Sequence, residues 1–221
     1  MITLAIDAST YAGDVAVLDD ARVVADENIA MKGAECERLM PAVASVLERG
    51  GVGVADVDRV VCGAGPGSFT SLRIAGGIAK GIASGRGCPL YAVPSMALLV
   101  GGADLRAGRY LAAIDALRGE FYIALYDVSG DARVNEIEPA RLVSADDVER
   151  VATELGARIV SPSAFTDSIT ASPRARGVAR AEELLQAHGP VDVGSWEPSY
   201  GRLAEAQVRW ESAHGKPLSA G

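Results

Sequence analysis

Leu4–Asp20 reads LAIDASTYAGDVAVLDD, and Ala112–Val128 reads AAIDALRGEFYIALYDV. In one ungapped register Ala5, Ile6, Asp7, Ala8, Ala16 and Asp19 recur as Ala113, Ile114, Asp115, Ala116, Ala124 and Asp127. Most other positions exchange one apolar residue for another. Each copy is an apolar strand ending in an aspartate, a polar break, and a second apolar strand, the pattern of a β-hairpin with a carboxylate near its turn. Two copies about a hundred residues apart do not make a solenoid. They predict a duplicated half-domain: two similar α/β lobes facing each other, each aiming an Asp-tipped hairpin at the cleft between them.

Working outward, residues 2–7, 14–18 and 21–29 read as three short strands, with Asp19-Asp20 as the tight turn between the second and third. Residues 35–49 carry Leu39, Val43, Val46 and Leu47 at helical spacing, and Gly50-Gly51 stops that helix. Residues 58–62 form a buried strand, a glycine-rich turn follows, and a helix runs from Ser71 to Ser84. CPLYAV is a strand, Pro94–Gly102 a short helix, and ADLRAG the lobe boundary, giving an N-terminal lobe of residues 1–103 and a smaller second lobe of 104–221. The second lobe repeats the start with strands at 109–114, 120–127 and 133–143. Ser144 caps a helix over SADDVERVATEL, with acids in its first turn. A strand at 158–161, a loop at 162–175, a helix over AEELLQAHG, a last helix over Tyr200–Ser212 and a tail HGKPLSAG complete the reading. Three meandering strands followed by alternating helix and strand give a mixed sheet, unlike a Rossmann unit, which alternates from its first strand.

Bulk properties narrow the function classes. The chain has 221 residues, 49% hydrophobic and 23% charged, enough for a proper core. No apolar run reaches the ~18 residues of a membrane span. The start MITLAID has no basic n-region, so no signal peptide is expected and the cytoplasm is the expected compartment. Cys36, Cys62 and Cys88 are too few and too scattered for a disulfide framework or a zinc site. The net charge of −8 and scattered Lys and Arg, densest at Arg174–Arg180, argue against strong direct RNA binding by this chain alone. An acidic body suits docking onto a basic partner.

The glycine-rich turn GAGPGSFTSLR, Gly63–Arg73, lies between strand and helix, where phosphates often bind. It lacks the Gly-Lys-Ser/Thr of a Walker loop, and Ser68 stands where a dinucleotide fingerprint needs its third glycine. A nucleophile elbow needs glycine where Pro66 stands, and the only histidines are the distant His188 and His214. The helix that follows contains Gly76, Gly77 and Gly81, each costing about 1 kcal/mol relative to alanine. Such a helix is expected to recover that cost through close packing, on its own sheet and on a second partner. A buried core helix is the plainer alternative.

These segments resemble the TsaB (YeaZ) family. AIDAST at Ala5–Thr10, ERLMPAV at Glu37–Val43, GAGPGSFTSLRIA from Gly63 and EPSYGRLAEAQ at Glu197–Gln207 occur in the family's order. Ser71 departs from the usual glycine, and Glu35 from the histidine of many relatives. The resemblance spans nearly the whole chain. It implies the actin-like ATPase (ASKHA, ribonuclease H-like) α/β fold, with two similar lobes of mixed sheets and the second lobe reduced. It also implies the role of a dimerisation subunit in synthesis of tRNA threonylcarbamoyladenosine (t6A), with catalysis in the paralogue TsaD and a small ATPase, TsaE, joining them.

By the same resemblance Asp7, Ser9, Thr10 and Asp115 are vestigial cofactor-binding residues. No catalytic residue and no metal ligand is expected. No cofactor is expected to be tightly bound, although a nucleotide could sit near the partner interface. The hairpin aspartates would otherwise bond turn amides. The partner interface is expected at Leu39, Met40, Val43, Phe69, Leu72, Arg73, Ile78 and Ile82, and the same surface would self-pair as a homodimer when TsaD is absent. Two other readings stay open: a small ATPase or phosphotransferase using Asp7 and Asp115, and a peptidase.

Overall fold

The structure, a computed structural model, describes residues 1–31 and 38–201. The start of the helix read at 35–49, residues 202–212 of the last helix read, and the tail lie outside them. In chain order the elements of the first half are β1 (Ile2–Asp7), β2 (Ala12–Asp19), β3 (Arg22–Ala30), α1 (Leu39–Arg49), β4 (Arg59–Gly63), α2 (Phe69–Arg86), β5 (Leu90–Val93) and α3 (Ser95–Gly102). Then come β6 (Gly108–Asp115), β7 (Glu120–Val128), β8 (Val134–Ser144), α4 (Val148–Glu154), β9 (Arg158–Ser161), β10 (Ile169–Thr170), α5 (Glu182–His188) and β11 (Pro190–Val191).

One sheet runs β11-β5-β4-β1-β2-β3 and the other β10-β9-β6-β7-β8. Without β11, the two orders are the same topology written twice, with a reduced second copy. This is the duplicated actin-like α/β arrangement expected from the sequence. The alternation of each strand sorts its side chains into layers. Leu4, Ile6, Val15 and Val17 pack against α1 and α2. Ala5, Ala16 and Leu18 face α3 and the second sheet's Ala112, Ala124 and Tyr126. Leu111, Ala113, Ile123 and Leu125 face α4 on the far side. All eight residues of α3 are buried, as befits a helix that is apolar all round and lies between two sheets.

The repeat contains one slip. In the first hairpin Asp7 pairs with Asp14, and in the second Asp115 pairs with Phe121. The second hairpin is therefore one residue tighter. The ungapped register holds on the second strand of each hairpin, where Val15 and Val17 match Ile123 and Leu125. On the first strand it is off by one: Leu4 and Ile6 match Leu111 and Ala113, so the counterpart of Asp7 is Ile114. A one-residue slip moves a side chain to the other face of the sheet. Asp7 and Asp115 therefore sit in different environments despite their matching sequence.

The lobes are held together by returning chain. Beyond β10, the segment read from sequence as loop crosses back to the first sheet and enters a 3-10 turn, Ala175–Arg180. Asp14 is fully buried there and accepts bonds from the Ala175 amide at 2.7 Å and Asn28 Nδ2 at 3.1 Å. Arg174 Nε lies 2.6 Å from Asp14 Oδ2, an ion pair rather than an aligned hydrogen bond, and Arg174 Nη2 donates to Asp26 at 2.8 Å. Arg176 and Arg180 donate to the carbonyls of Gly102 and Ala103. The densest basic stretch is thus spent inside the molecule. Pro190–Val191, placed by the sequence in the second lobe, instead extends the first sheet against β5. Ser144 caps no helix: its hydroxyl donates to Asp147, and a 3-10 turn precedes α4.

Burial pushes the Asp14 carboxyl up to about 6, opposed by the Arg174 charge. A carboxyl whose folded pKa is raised binds its proton more tightly in the fold. Its stabilising contribution is complete below the unfolded value near 4 and is lost as pH rises through about 6. The stability of wild type relative to Asp14→Asn is expected to grow by about 2–3 kcal/mol between pH 7 and pH 4. Urea titrations of both proteins at the two pH values measure this difference. No change would mean that Asp14 titrates normally.

Candidate functional site

The glycine-rich turn leaves β4 beside the end of β1, and three of its backbone donors are already committed. Ala64 N–H donates to the Val93 carbonyl at 2.7 Å, Gly65 N–H to Ser95 Oγ at 3.0 Å, and Ser68 N–H to the Ser9 carbonyl at 2.7 Å. A phosphate cradle needs such amides free. The turn also accepts from outside itself: the Ala64 carbonyl takes the amide of Ser199 at 2.7 Å.

Asp7 is 1% exposed rather than displayed at a cleft. Its Oδ1 accepts Ser95 Oγ at 2.6 Å, and its Oδ2 accepts Ser9 N–H at 3.0 Å and Ser9 Oγ at 2.8 Å. A Cβ on Gly63 would overlap this carboxylate, so β4 lies directly on it. Burial raises the Asp7 carboxyl above the usual range, opposed by the Ser95 and Ser9 bonds. Thr10 Oγ1 accepts the Ala12 amide at 3.3 Å, closing a local turn. Asp115 is exposed and accepts the Leu117 amide at 2.7 Å. Two of the four hairpin residues, Asp7 and Ser9, are thus joined in one buried network, Thr10 borders it, and Asp115 stands apart. Ser95 completes the network and is absent from the residues expected from sequence. Its position one residue after Pro94, at a strand-to-helix junction, is the signal that could have marked it.

An asparagine at 7 can accept at one oxygen only, so one of three donors would face an amide NH2. Asp7→Asn is expected to lose about 1–3 kcal/mol of stability, and Asp115→Asn to stay within about 0.5 kcal/mol. Denaturant unfolding of the two variants checks this contrast. Equal losses would contradict the buried-network assignment.

The helices α1 and α2 lie side by side over the outer face of the first sheet. Of the interface residues expected from sequence, Leu39, Val43 and Leu72 are buried in the protein's own core and cannot meet a partner. Their helical periodicity reports the inner stripe. Met40 is 46% exposed, Arg73 is exposed, and Phe69, Ile78 and Ile82 are half-buried. The outward row of α2 continues from Arg73 through Gly77, Gly81 and Gly85, and among the described residues a Cβ at any of these three glycines would meet nothing within 4 Å. Gly76, by contrast, is buried against Pro198 and Trp196.

Among the described residues no group of His, Cys, Asp and Glu side chains is placed to hold a metal ion, and no helix is long and apolar enough to cross a membrane. Cys62 is buried under Asp7, and desolvation pushes its thiol far above the reactive range. Cavities of about 680 and 670 Å³ lie on the second lobe, away from the glycine-rich turn.

Duplicated mixed sheets, each carrying a β-hairpin beside a strand-to-helix crossover, define a class: a two-lobed actin-like α/β protein. Residues 32–172 match the family model described as TsaD, tRNA N6-adenosine threonylcarbamoyltransferase. The chain is 39% identical to the tRNA threonylcarbamoyladenosine biosynthesis protein TsaB of Escherichia coli over 57% of its own length and 55% of that protein's. It is 28% identical to the protein of the same name from Bacillus subtilis over 95% of its own length and 98% of the relative's. The match thus spans about half of the first relative and nearly all of the second. The solved structure of YeaZ from Pseudomonas aeruginosa superposes with a TM-score of 0.75 at 28% identity, covering 90% of this chain and 99% of that one. The chain belongs to the TsaB (YeaZ) family, within the wider TsaD-type group that the family model describes.

Proposed function

We propose that this protein is a non-catalytic subunit of the machinery that makes t6A in tRNA, and that it acts by docking onto the catalytic TsaD-type paralogue. The observation that carries the reading is the outward row of α2. Three glycines in one helix cost about 3 kcal/mol of helix propensity, and Gly77, Gly81 and Gly85 recover none of it against the described residues. A second helix approaching this face closely would recover it. Met40 and Ile78 flank the row with apolar surface. In the absence of TsaD the same face would pair two copies of the chain, since one patch can be self-complementary about a two-fold axis. A TsaE-type ATPase would join the pair, and any nucleotide would be held between subunits rather than by this chain alone.

The committed amides of Ala64, Gly65 and Ser68 and the buried Asp7 support a passive role. The isolated chain is expected to hydrolyse ATP no faster than a buffer blank in a phosphate-release assay with magnesium. Turnover that disappears in Asp7→Ala would overturn the non-catalytic reading in favour of the small-ATPase alternative.

A further inference from the structure

The last described residues form a strap that begins at the sheet edge and ends at the other lobe. From β11 the chain turns on Asp192, whose Oδ2 accepts the Ser195 amide at 3.0 Å. Lys80 of α2 then donates to the Trp196 carbonyl at 2.9 Å. Pro198 is buried, with its Cγ 3.2 Å from where a Cβ on Gly76 would stand. Ser199 bonds the Ala64 carbonyl, and the Tyr200 ring lies against Phe69 with centroids 4.4 Å apart, tilted by 48°. Arg73 covers the Phe69 ring at 5.4 Å. Gly201 closes the strap on the Tyr122 ring of the second lobe.

Arg73, Gly77 and Gly81 follow one another at intervals of four along the exposed side of α2, and because each interval turns by about 40°, Phe69 and Gly85 lie at the two flanks of that face. The strap adds Tyr200 beside Phe69, at the N-terminal flank of that face. Its other attachments, through Gly76 and Lys80, lie to one side and leave the glycines open.

We propose that the strap Trp196–Gly201 completes the docking surface of α2, with Tyr200, Phe69 and Arg73 forming an aromatic–guanidinium patch that contacts the TsaD-type subunit. The inference rests on the docking function proposed above and adds to it a second chain segment. Tyrosine and arginine are the side chains that most often dominate interface energetics when packed in place. Here both are held before a partner arrives. Tyr200 is fixed by Phe69 and by its hydroxyl bond to Glu197 at 3.0 Å, so little side-chain freedom remains to be lost on binding.

The test is calorimetric titration of the full chain with its purified TsaD-type subunit, using wild type, Tyr200→Ala, Gly76→Leu and Gly77→Arg. Gly76→Leu wedges Pro198 and Trp196 off the helix from the side away from the open row. Tyr200→Ala and Gly76→Leu are each expected to bind roughly tenfold more weakly or worse, with circular dichroism unchanged for Tyr200→Ala. If Gly76→Leu does not fold, Tyr200→Ala alone decides. Binding of Tyr200→Ala within twofold of wild type, while Gly77→Arg fails to bind, would overturn the strap's role and leave the docking function standing. Failure of wild type to bind, or normal binding by Gly77→Arg, would overturn the docking function and the strap's role with it.

Discussion

Gly67→Ala is expected to yield no stable folded protein. A Cβ at position 67 would be driven into the backbone of Ser9, overlapping its carbonyl oxygen and carbon. That carbonyl already accepts the Ser68 amide at 2.7 Å, and Ser9 also supplies two of the three bonds to buried Asp7. Neither backbone can withdraw without breaking this network. A methyl group here must separate the glycine-rich turn from the first hairpin, stripping buried polar groups of partners. Losses above about 4 kcal/mol are uncommon for single substitutions and belong to such cases. Soluble yield and thermal denaturation by circular dichroism are the readouts. A variant melting within a few degrees of wild type would show that the turn tolerates displacement, and the close seating of Gly67 on Ser9 would be refuted.

Gly77→Arg should show the opposite dissociation: a protein at least as stable as wild type that no longer binds its partner. Position 77 is exposed and a Cβ there meets nothing among the described residues, which leave room for a side chain. Replacing a helical glycine even contributes up to about 1 kcal/mol of propensity. A partner helix approaching the glycine row would meet a bulky charge that it must bury unpaired. The expected loss of affinity is roughly a hundredfold, near 3 kcal/mol. Thermal melts and binding titrations on one preparation separate the two effects. A variant that binds normally would move the interface away from α2.

The architecture was legible because it is written twice. The paired motifs at Leu4 and Ala112 identify two lobes, and the same strand order appears in both sheets. The equivalence of Asp7 and Asp115 was the part that misled. The hairpins differ by one residue in their pairing, and no sequence comparison without a gap reveals a slip whose apolar residues are interchangeable. Helical periodicity at Leu39, Val43 and Leu72 correctly marked an apolar stripe but cannot say whether a stripe faces the core or a partner; burial assigns it to the core. The glycines of α2 that the sequence singles out, Gly76, Gly77 and Gly81, divide in the structure. Gly76 receives Pro198 of the same chain, while Gly77 and Gly81 remain open. The clasp from Asp14 to Arg174 and the strap onto Phe69 join residues more than a hundred positions apart, beyond the reach of any local pattern.

If this chain serves as the docking partner of a TsaD-type enzyme, the two must form a complex on their own. Size-exclusion chromatography with light scattering on an equimolar mixture of the two purified chains, nucleotide-free, tests this most directly. The expected result is a single species whose mass is that of one copy of each chain, replacing any homodimer of this protein. Two separate peaks at the masses of the unmixed proteins would contradict the docking role.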